Sequence, residues 1–268
     1  MFLLCSSDWH STPKTPRCRI DDYPTAQERK ILHMFTAGVE RRVAAFCQAG
    51  DLSDMASLPY SLYERYFLYF RHYLRHFPFC TIYGQHDLRY RAQDNTFFHA
   101  METVVNATFA PAARRFIVAD NSPYIIDPPD TTEKGVAIYG ASFGEEIPEI
   151  FTPDRYNVLI IHRMIIDKKL WDGQKDFTKG TELLRKTKYD LIVSGDNHQH
   201  FHKSINGRHL INCGSLMRST IDQYNHEPVY YIVDTKARTA ECIKLPAAHA
   251  VEVFSKEQVI KKQNRIRR

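Results

Sequence analysis

No stretch of this 268-residue sequence is apolar over the ~20 residues that a membrane helix requires, so a bilayer-spanning segment is not expected. The opening run Met1–Cys5 has no charged leader and is too short for a signal-peptide core; it reads as a strand. The six cysteines stand at 5, 18, 47, 80, 213 and 242 with no C-x-x-C pair and no regular spacing. That argues against a thiolate metal knot or a disulfide scaffold and fits reduced thiols in a cytoplasm. Internal repeats and low-complexity segments are also lacking, which excludes solenoid and linker-rich classes.

A diffuse excess of positive charge is missing as well. The formal charge is +5, yet Lys256, Lys261, Lys262, Arg265, Arg267 and Arg268 against Glu257 already give +5. The other 255 residues sum to about zero. The basic character therefore describes a C-terminal tail, either a solvated terminus or a contact for phosphates or a partner. The organisation divides near Pro246 into a main domain, 1–245, and a basic helical segment, 246–268.

What is present is an alternation of short apolar runs and longer amphipathic stretches, the pattern of an α/β fold. Strands are predicted over Phe2–Cys5, Phe79–Tyr83, Val136–Tyr139, Val158–Ile161, Leu191–Val193, His209–Asn212 and Val229–Val233. Helices are predicted over Gln27–Ala49 and Ser61–His76, and the proline-bearing Asp120–Lys134 reads as a loop. Five apolar runs end in polar clusters: Ser6-Ser7-Asp8-Trp9-His10, Gly50-Asp51-Leu52-Ser53-Asp54, Gly84-Gln85-His86-Asp87, His162, and Ser194-Gly195-Asp196-Asn197-His198. Ligands of open α/β sheets bind beyond the carboxyl ends of strands, so all five clusters are expected on one rim.

Carboxylates, imidazoles and an amide without a thiolate suit Mn²⁺, Fe²⁺ or Zn²⁺. Two cations ~3.5–4 Å apart need a shared carboxylate to offset their repulsion. Asp51 is the candidate, because Gly50 allows a sharp turn before it. The D-x-H spacing puts Asp8 and His10 on one side of an extended chain, where they can chelate one ion. Taken singly each cluster is a weak signal; five in succession are a strong one.

The order D-x-H, G-D-x-x-D, G-(Q)-H-D, H and G-(D)-x-H resembles the calcineurin-like metallophosphoesterases over roughly residues 2 to 234. Ser7-Asp8-Trp9-His10 and Gly214-Ser215-Leu216 resemble the SbcD-type DNA-repair exonucleases and their bacteriophage relatives. The resemblance implies a four-layered α/β/β/α sandwich with a dinuclear site at the strand ends, two divalent metals (usually Mn²⁺), and hydrolysis of phosphodiesters in DNA. It further implies Asp8, His10, Asp51 and His198 on the first metal, and Asp51, Gln85, His162 and Asp196 on the second. His86 would act on the scissile phosphate as a catalytic residue without binding metal. Gln85 stands where the family has Asn, and Asp196 where it has His. His198 with His200 is the alternative ligand pair, and His200 and His202 are otherwise surface histidines.

Leu62, Tyr66, Phe70, Tyr73 and Phe77 fall at helical spacings, with further aromatics at Tyr60, Tyr63, Phe67 and Tyr69. This helix either packs on the sheet or forms a homodimer contact over 61–77, as the resemblance implies. Arg71, Arg75, Arg89 and Arg91 are either a solvated face or contacts for DNA phosphates. The resembling nucleases carry a capping domain and bind an ABC-type ATPase; about 30 residues follow Asp234 here, too few for that cap. A phosphatase or phosphodiesterase for small or protein substrates shares the same metal core, and a binding module with a degenerate site is the third reading.

Overall fold

Strand residues in this chain alternate between two different apolar layers. In the computed structural model, which describes residues 1–90, 92–94, 96–110, 113–128, 134–150, 152–169 and 172–260, Leu3 and Cys5 face one core and Leu4 another. The first half of the chain runs β1 (Phe2–Ser6), α1 (Tyr23–Glu40), β2 (Ala45–Gln48), α2 (Tyr60–Tyr73), β3 (Phe79–Thr81), α3 (Phe97–Asn106) and β4 (Phe116–Val118). The second half begins with β5 (Tyr124–Ile126), β6 (Val136–Ala141), β7 (Tyr156–His162), β8 (Ile165–Ile166), β9 (Thr178–Lys179) and α4 (Gly180–Lys186). It continues with β10 (Leu191–Gly195), β11 (Phe201–Ile205), β12 (Arg208–Asn212), β13 (Val229–Asp234), β14 (Thr239–Lys244) and α5 (Ala250–Val253).

These strands form two six-stranded sheets, ordered β14-β13-β1-β2-β3-β4 and β11-β12-β10-β7-β6-β5, with β8 and β9 as a small separate pair. Strands β1 to β4 run parallel, as do β6, β7, β10 and β12. Parallel strands need long crossovers, and helices on the outer faces supply them. The aromatic layer under α1, α2 and α3 holds Phe35, Phe46, Phe70, Phe79 and Phe116. Each such buried ring contributes roughly 1.5–3 kcal/mol. Between the sheets lie smaller side chains, among them Cys5, Cys47, Cys80, Val158 and Val193. A third cluster joins α4, through Leu183 and Leu184, to the outer face of the second sheet. The result is the four-layered α/β/β/α sandwich. All six cysteines are free. Among the described residues no helix is long and apolar enough to cross a membrane.

The first helix and the proline-bearing loop differ most from the sequence reading. The helix expected over Gln27–Ala49 ends at Glu40, and Ala45–Gln48 is strand β2. Its apolar residues continued the helical pattern because a strand buried on both faces carries no alternation. The helix starts earlier, at Tyr23, where the Asp22 carboxylate accepts the Thr25 N–H and Pro24 opens the first turn. The predicted loop Asp120–Lys134 contains β5, paired antiparallel to β6; its residues 129–133 lie outside the described residues.

Of the surplus aromatics of α2, Tyr63 has an intramolecular partner. Tyr63 meets Phe97 of α3 edge-on at 5.8 Å and its hydroxyl donates to the Ala100 carbonyl, while Tyr60 and Leu68 remain exposed. Arg71, Arg75 and Arg89 are exposed; Arg91 and the basic run 261–268 lie outside the described residues. After Pro246 the chain does not leave the body at once. Val253 and Phe254 are buried, and the Ile20 and Ser255 amides bond across to the Val253 and Cys18 carbonyls.

Candidate metal centre

Strands β1, β2 and β3 in one sheet and β7 and β10 in the other end at a common rim, and the five polar clusters meet there. Gly195 lets the sheets approach: a Cβ on it would sit 2.1 Å from the Ala49 carbonyl oxygen. Across that contact the His162 Nδ1 bonds the same Ala49 oxygen at 2.7 Å, which leaves Nε2 facing the centre.

Asp8 and His10 reach the centre together, but not from an extended strand. β1 ends at Ser6, and both residues have left-handed backbone, φ 47° and 46°. Asp51 (φ 49°) and Asp196 (φ 82°) share this conformation, which is costly for residues with a Cβ and is held by surrounding contacts. The Asp8, His10 and Ser11 amides donate to the Gly50, Asp51 and Leu52 carbonyls. Trp9, fully buried between them, donates its indole N–H to Ser6 Oγ and packs edge-on against Phe35 and Phe46. The anchoring of Trp9 in the aromatic layer fixes its two neighbours at the rim.

Two groups of ligand atoms result, each within 4.8 Å: Asp8, His10 and His198, and Asp8, Asp51 and His162. The two imidazole nitrogens His10 Nε2 and His198 Nε2 are 3.1 Å apart. Asp51 Oδ2 lies between the groups, 3.7 Å from His10 Nε2 and 3.4 Å from His162 Nε2. Its other oxygen, Oδ1, accepts the His86 backbone N–H at 2.9 Å.

The donor set fits divalent cations. Asp8 Oδ2, Asp51 Oδ2, Gln85 Oε1 and His162 Nε2 are buried without a hydrogen-bond partner. Such atoms cost ~1–3 kcal/mol each when left unmet, so four of them at one rim describe a place for ions. Asp8, His10, Asp51, Gln85, His162 and His198 would hold them.

Asp196 is placed differently from the other ligands expected. Its Oδ1 accepts the Gln85 amide at 3.2 Å and its backbone N–H donates to Asp8 Oδ1, and it belongs to neither group of ligand atoms. The two departures from the family pattern therefore touch each other. His198 reaches Asp8 and His10, whereas the exposed His200 enters no ligand group among the described residues. His202 is not a free surface histidine, because its Nε2 pairs with His209 Nδ1 at 2.9 Å.

Two acids without an assigned role in the sequence reading matter here. Asp87 is buried and accepts from the Leu52 and Ser53 amides, the Ser53 hydroxyl and the Gly84 amide. It ties the Asp51 loop to the Gln85–His86 turn, and its carboxylate at the end of that cluster was the signal. Asp54 places its carboxylate 3.8 Å from Nδ1 of both His10 and His86, and its carbonyl pairs with His86 Nδ1 at 3.2 Å. His10, Asp54 and His86 form a third group of ligand atoms.

Protonation separates the histidines. Burial pushes His10 down to about 3, against the pull of Asp51, so it is a neutral ligand at ordinary pH. Burial also opposes charge on His162, but the Asp51 carboxylate 3.4 Å away, with Asp8, holds it up at about 10. A cation taking His162 Nε2 must displace that proton. Metal binding is therefore expected to release about one proton from this imidazole and to strengthen as pH rises toward 10. Calorimetry in two buffers of different ionisation enthalpy checks this; affinity independent of pH between 6 and 9 would contradict it.

A sequence model of the calcineurin-like phosphoesterase family matches residues 1–200, a stretch that contains all eight residues proposed for metal binding and catalysis. No curated protein matches the sequence. Among the solved structures that match, TT1561 of Thermus thermophilus gives a TM-score of 0.56 at 13% identity, covering 91% of this chain and 99% of that one. GAP50, the anchor in the inner membrane complex of Plasmodium, gives 0.52 at 12% identity, covering 98% and 94%. At these identities the likeness is one of fold.

Proposed function

Since the chain belongs to the calcineurin-like phosphoesterase family, we propose that its metal-dependent phosphoester hydrolysis is directed at DNA, as in an SbcD-type exonuclease or endonuclease of repair or recombination. The observation that carries this reading is the contact between the two segments that resemble that branch. Ser7 Oγ donates to the Gly214 carbonyl at 3.0 Å, and the Leu216 amide donates to the Asp8 carbonyl at 3.0 Å. The serine before the first ligand and the glycine-serine turn thus form one wall of the centre.

Two divalent cations, most simply Mn²⁺ given oxygen and nitrogen donors, supply Lewis-acid charge neutralisation and water activation when bound. The chain's own contribution is placement. Asp51 presents a carboxylate oxygen between the two ligand groups, and the His86 amide holds its partner oxygen still. The Asp54 carbonyl occupies His86 Nδ1, which leaves Nε2 of this exposed ring to donate to a phosphate or leaving oxygen.

The second reading is a phosphatase or phosphodiesterase for a small or protein substrate. It is favoured by the near-zero net charge of residues 1–255, which supplies no overall attraction to the DNA polyanion. The Mn²⁺-loaded protein is expected to degrade linear duplex DNA, releasing acid-soluble nucleotides. Hydrolysis of a chromogenic phosphoester with duplex left intact would favour the second reading. Partner contacts follow the same proposal: a homodimer covering the exposed Tyr60 and Leu68 of α2, and an ABC-type ATPase.

A further inference from the structure

Apart from the metal ligands, α1, the segment around Arg218 and the chain after Pro246 enclose a cavity of about 750 Å³. Four cationic side chains line it: Arg19, Arg29, Lys30 and Arg218. Its acids are hydrogen-bonded within the chain, and among the described residues only Asp21 of these acids is in an ion pair. Asp21 clamps Arg19 with bonds of 2.7 and 2.6 Å, Asp22 caps α1, and Glu252 accepts the His249 amide.

Lys30 is 6% exposed, and its Nζ donates to the Leu216 carbonyl at 2.9 Å. Among the described residues neither Lys30 nor Arg29 forms an ion pair. Arg218 spends two donors on the His226 and Ala248 carbonyls, which neutralise nothing. Burial, with Arg218 and Arg19 nearby, pushes the Lys30 ammonium down to about 7. Gathering like charges around a buried ammonium is unfavourable unless an anion offsets them. Arg29 and Lys30 line the cavity from α1 and Arg218 lines it from the segment before Pro246, so a single compact anion held there has three cationic side chains around it.

We propose that this cavity binds a phosphate group, held by Arg29, Lys30 and Arg218. The site stands independently of the metal-centre reading and is separate from the catalytic ligands. It is nevertheless linked to them, because Leu216 accepts from Lys30 and donates its amide to the Asp8 carbonyl. The phosphate can belong to a DNA backbone or to a free ion or nucleotide; the chemistry of recognition is the same.

Equilibrium dialysis of the full-length, Mn²⁺-loaded protein with radiolabelled inorganic phosphate tests the site. The wild type is expected to hold one phosphate more than Arg29→Glu, and Lys30→Met to bind that phosphate roughly tenfold or more weakly. Hydrolysis of a small chromogenic phosphodiester should stay within about twofold of wild type in Arg29→Glu, whose exposed side chain belongs to none of the groups of ligand atoms. Should Lys30→Met fail to fold, the exposed Arg29→Glu carries the comparison alone. Competition by short duplex DNA assigns the phosphate to a nucleic-acid backbone; competition by a nucleoside 5′-monophosphate alone assigns it to a free ligand. Equal phosphate counts and affinities in wild type and Arg29→Glu would overturn the proposal.

Discussion

Asp51→Ala should empty both metal positions and bring hydrolysis to background, a loss of more than about 10⁴-fold. The reason is geometric: Asp51 Oδ2 is 3.7 Å from His10 Nε2 and 3.4 Å from His162 Nε2, so one carboxylate serves both ligand groups. Removing it also strips the buried His162 of the neighbour that keeps it charged. The less drastic Asp51→Asn keeps an acceptor for the His86 amide while losing the charge. It should fold like wild type and bind metal far more weakly, which separates a failure of chemistry from a failure of folding. Metal analysis after desalting is the measurement. Two ions per chain retained in Asp51→Ala would sink the assignment.

His86→Ala is expected to behave in the opposite way, keeping two metals per chain and the fold while losing ~10²–10⁴-fold in rate. The ring is exposed at the rim, and Nδ1 faces the Asp54 carbonyl and carboxylate rather than the Asp8 or Asp51 oxygens. Little packing is lost with an exposed side chain, so the melting temperature should change by no more than a few degrees. The third group of ligand atoms, His10, Asp54 and His86, defines the competing outcome. If the variant loses metal in step with activity, His86 is a ligand, and its assignment to the phosphate fails.

The particular residues show how far the sequence could be read. Pairing Asp8 with His10 from the D-x-H spacing reached the observed grouping through the wrong geometry. Alternation in a strand was expected, whereas two left-handed residues flank a buried Trp9. The helical pattern over Gln27–Ala49 runs past the end of the helix at Glu40, because a strand buried on both faces, such as Ala45–Gln48, imitates the apolar density of a helix. Asp54 and Asp87 were visible as carboxylates in the right clusters, yet their work could not be seen. Asp87 acts by accepting backbone amides from a loop 34 and 35 positions away, and no local pattern encodes that. The extra aromatics of α2 raised the question of a second copy, and the structure gives Tyr63 a partner in α3 of the same chain.

By itself the sequence determined which donors are available and where: hard oxygen and nitrogen ligands at the ends of apolar runs, in an order that belongs to one family. Only the tertiary structure decided which donors meet. The two sheets close to Gly195 against the Ala49 carbonyl, and that approach brings His162 beside Asp51. It likewise joins Gln85 to Asp196, 111 positions apart, so the two residues that depart from the family pattern are hydrogen-bonded to one another. Spacing along a chain fixes neighbours within one strand or turn, whereas contacts between sheets depend on packing of the whole core, to which every layer contributes.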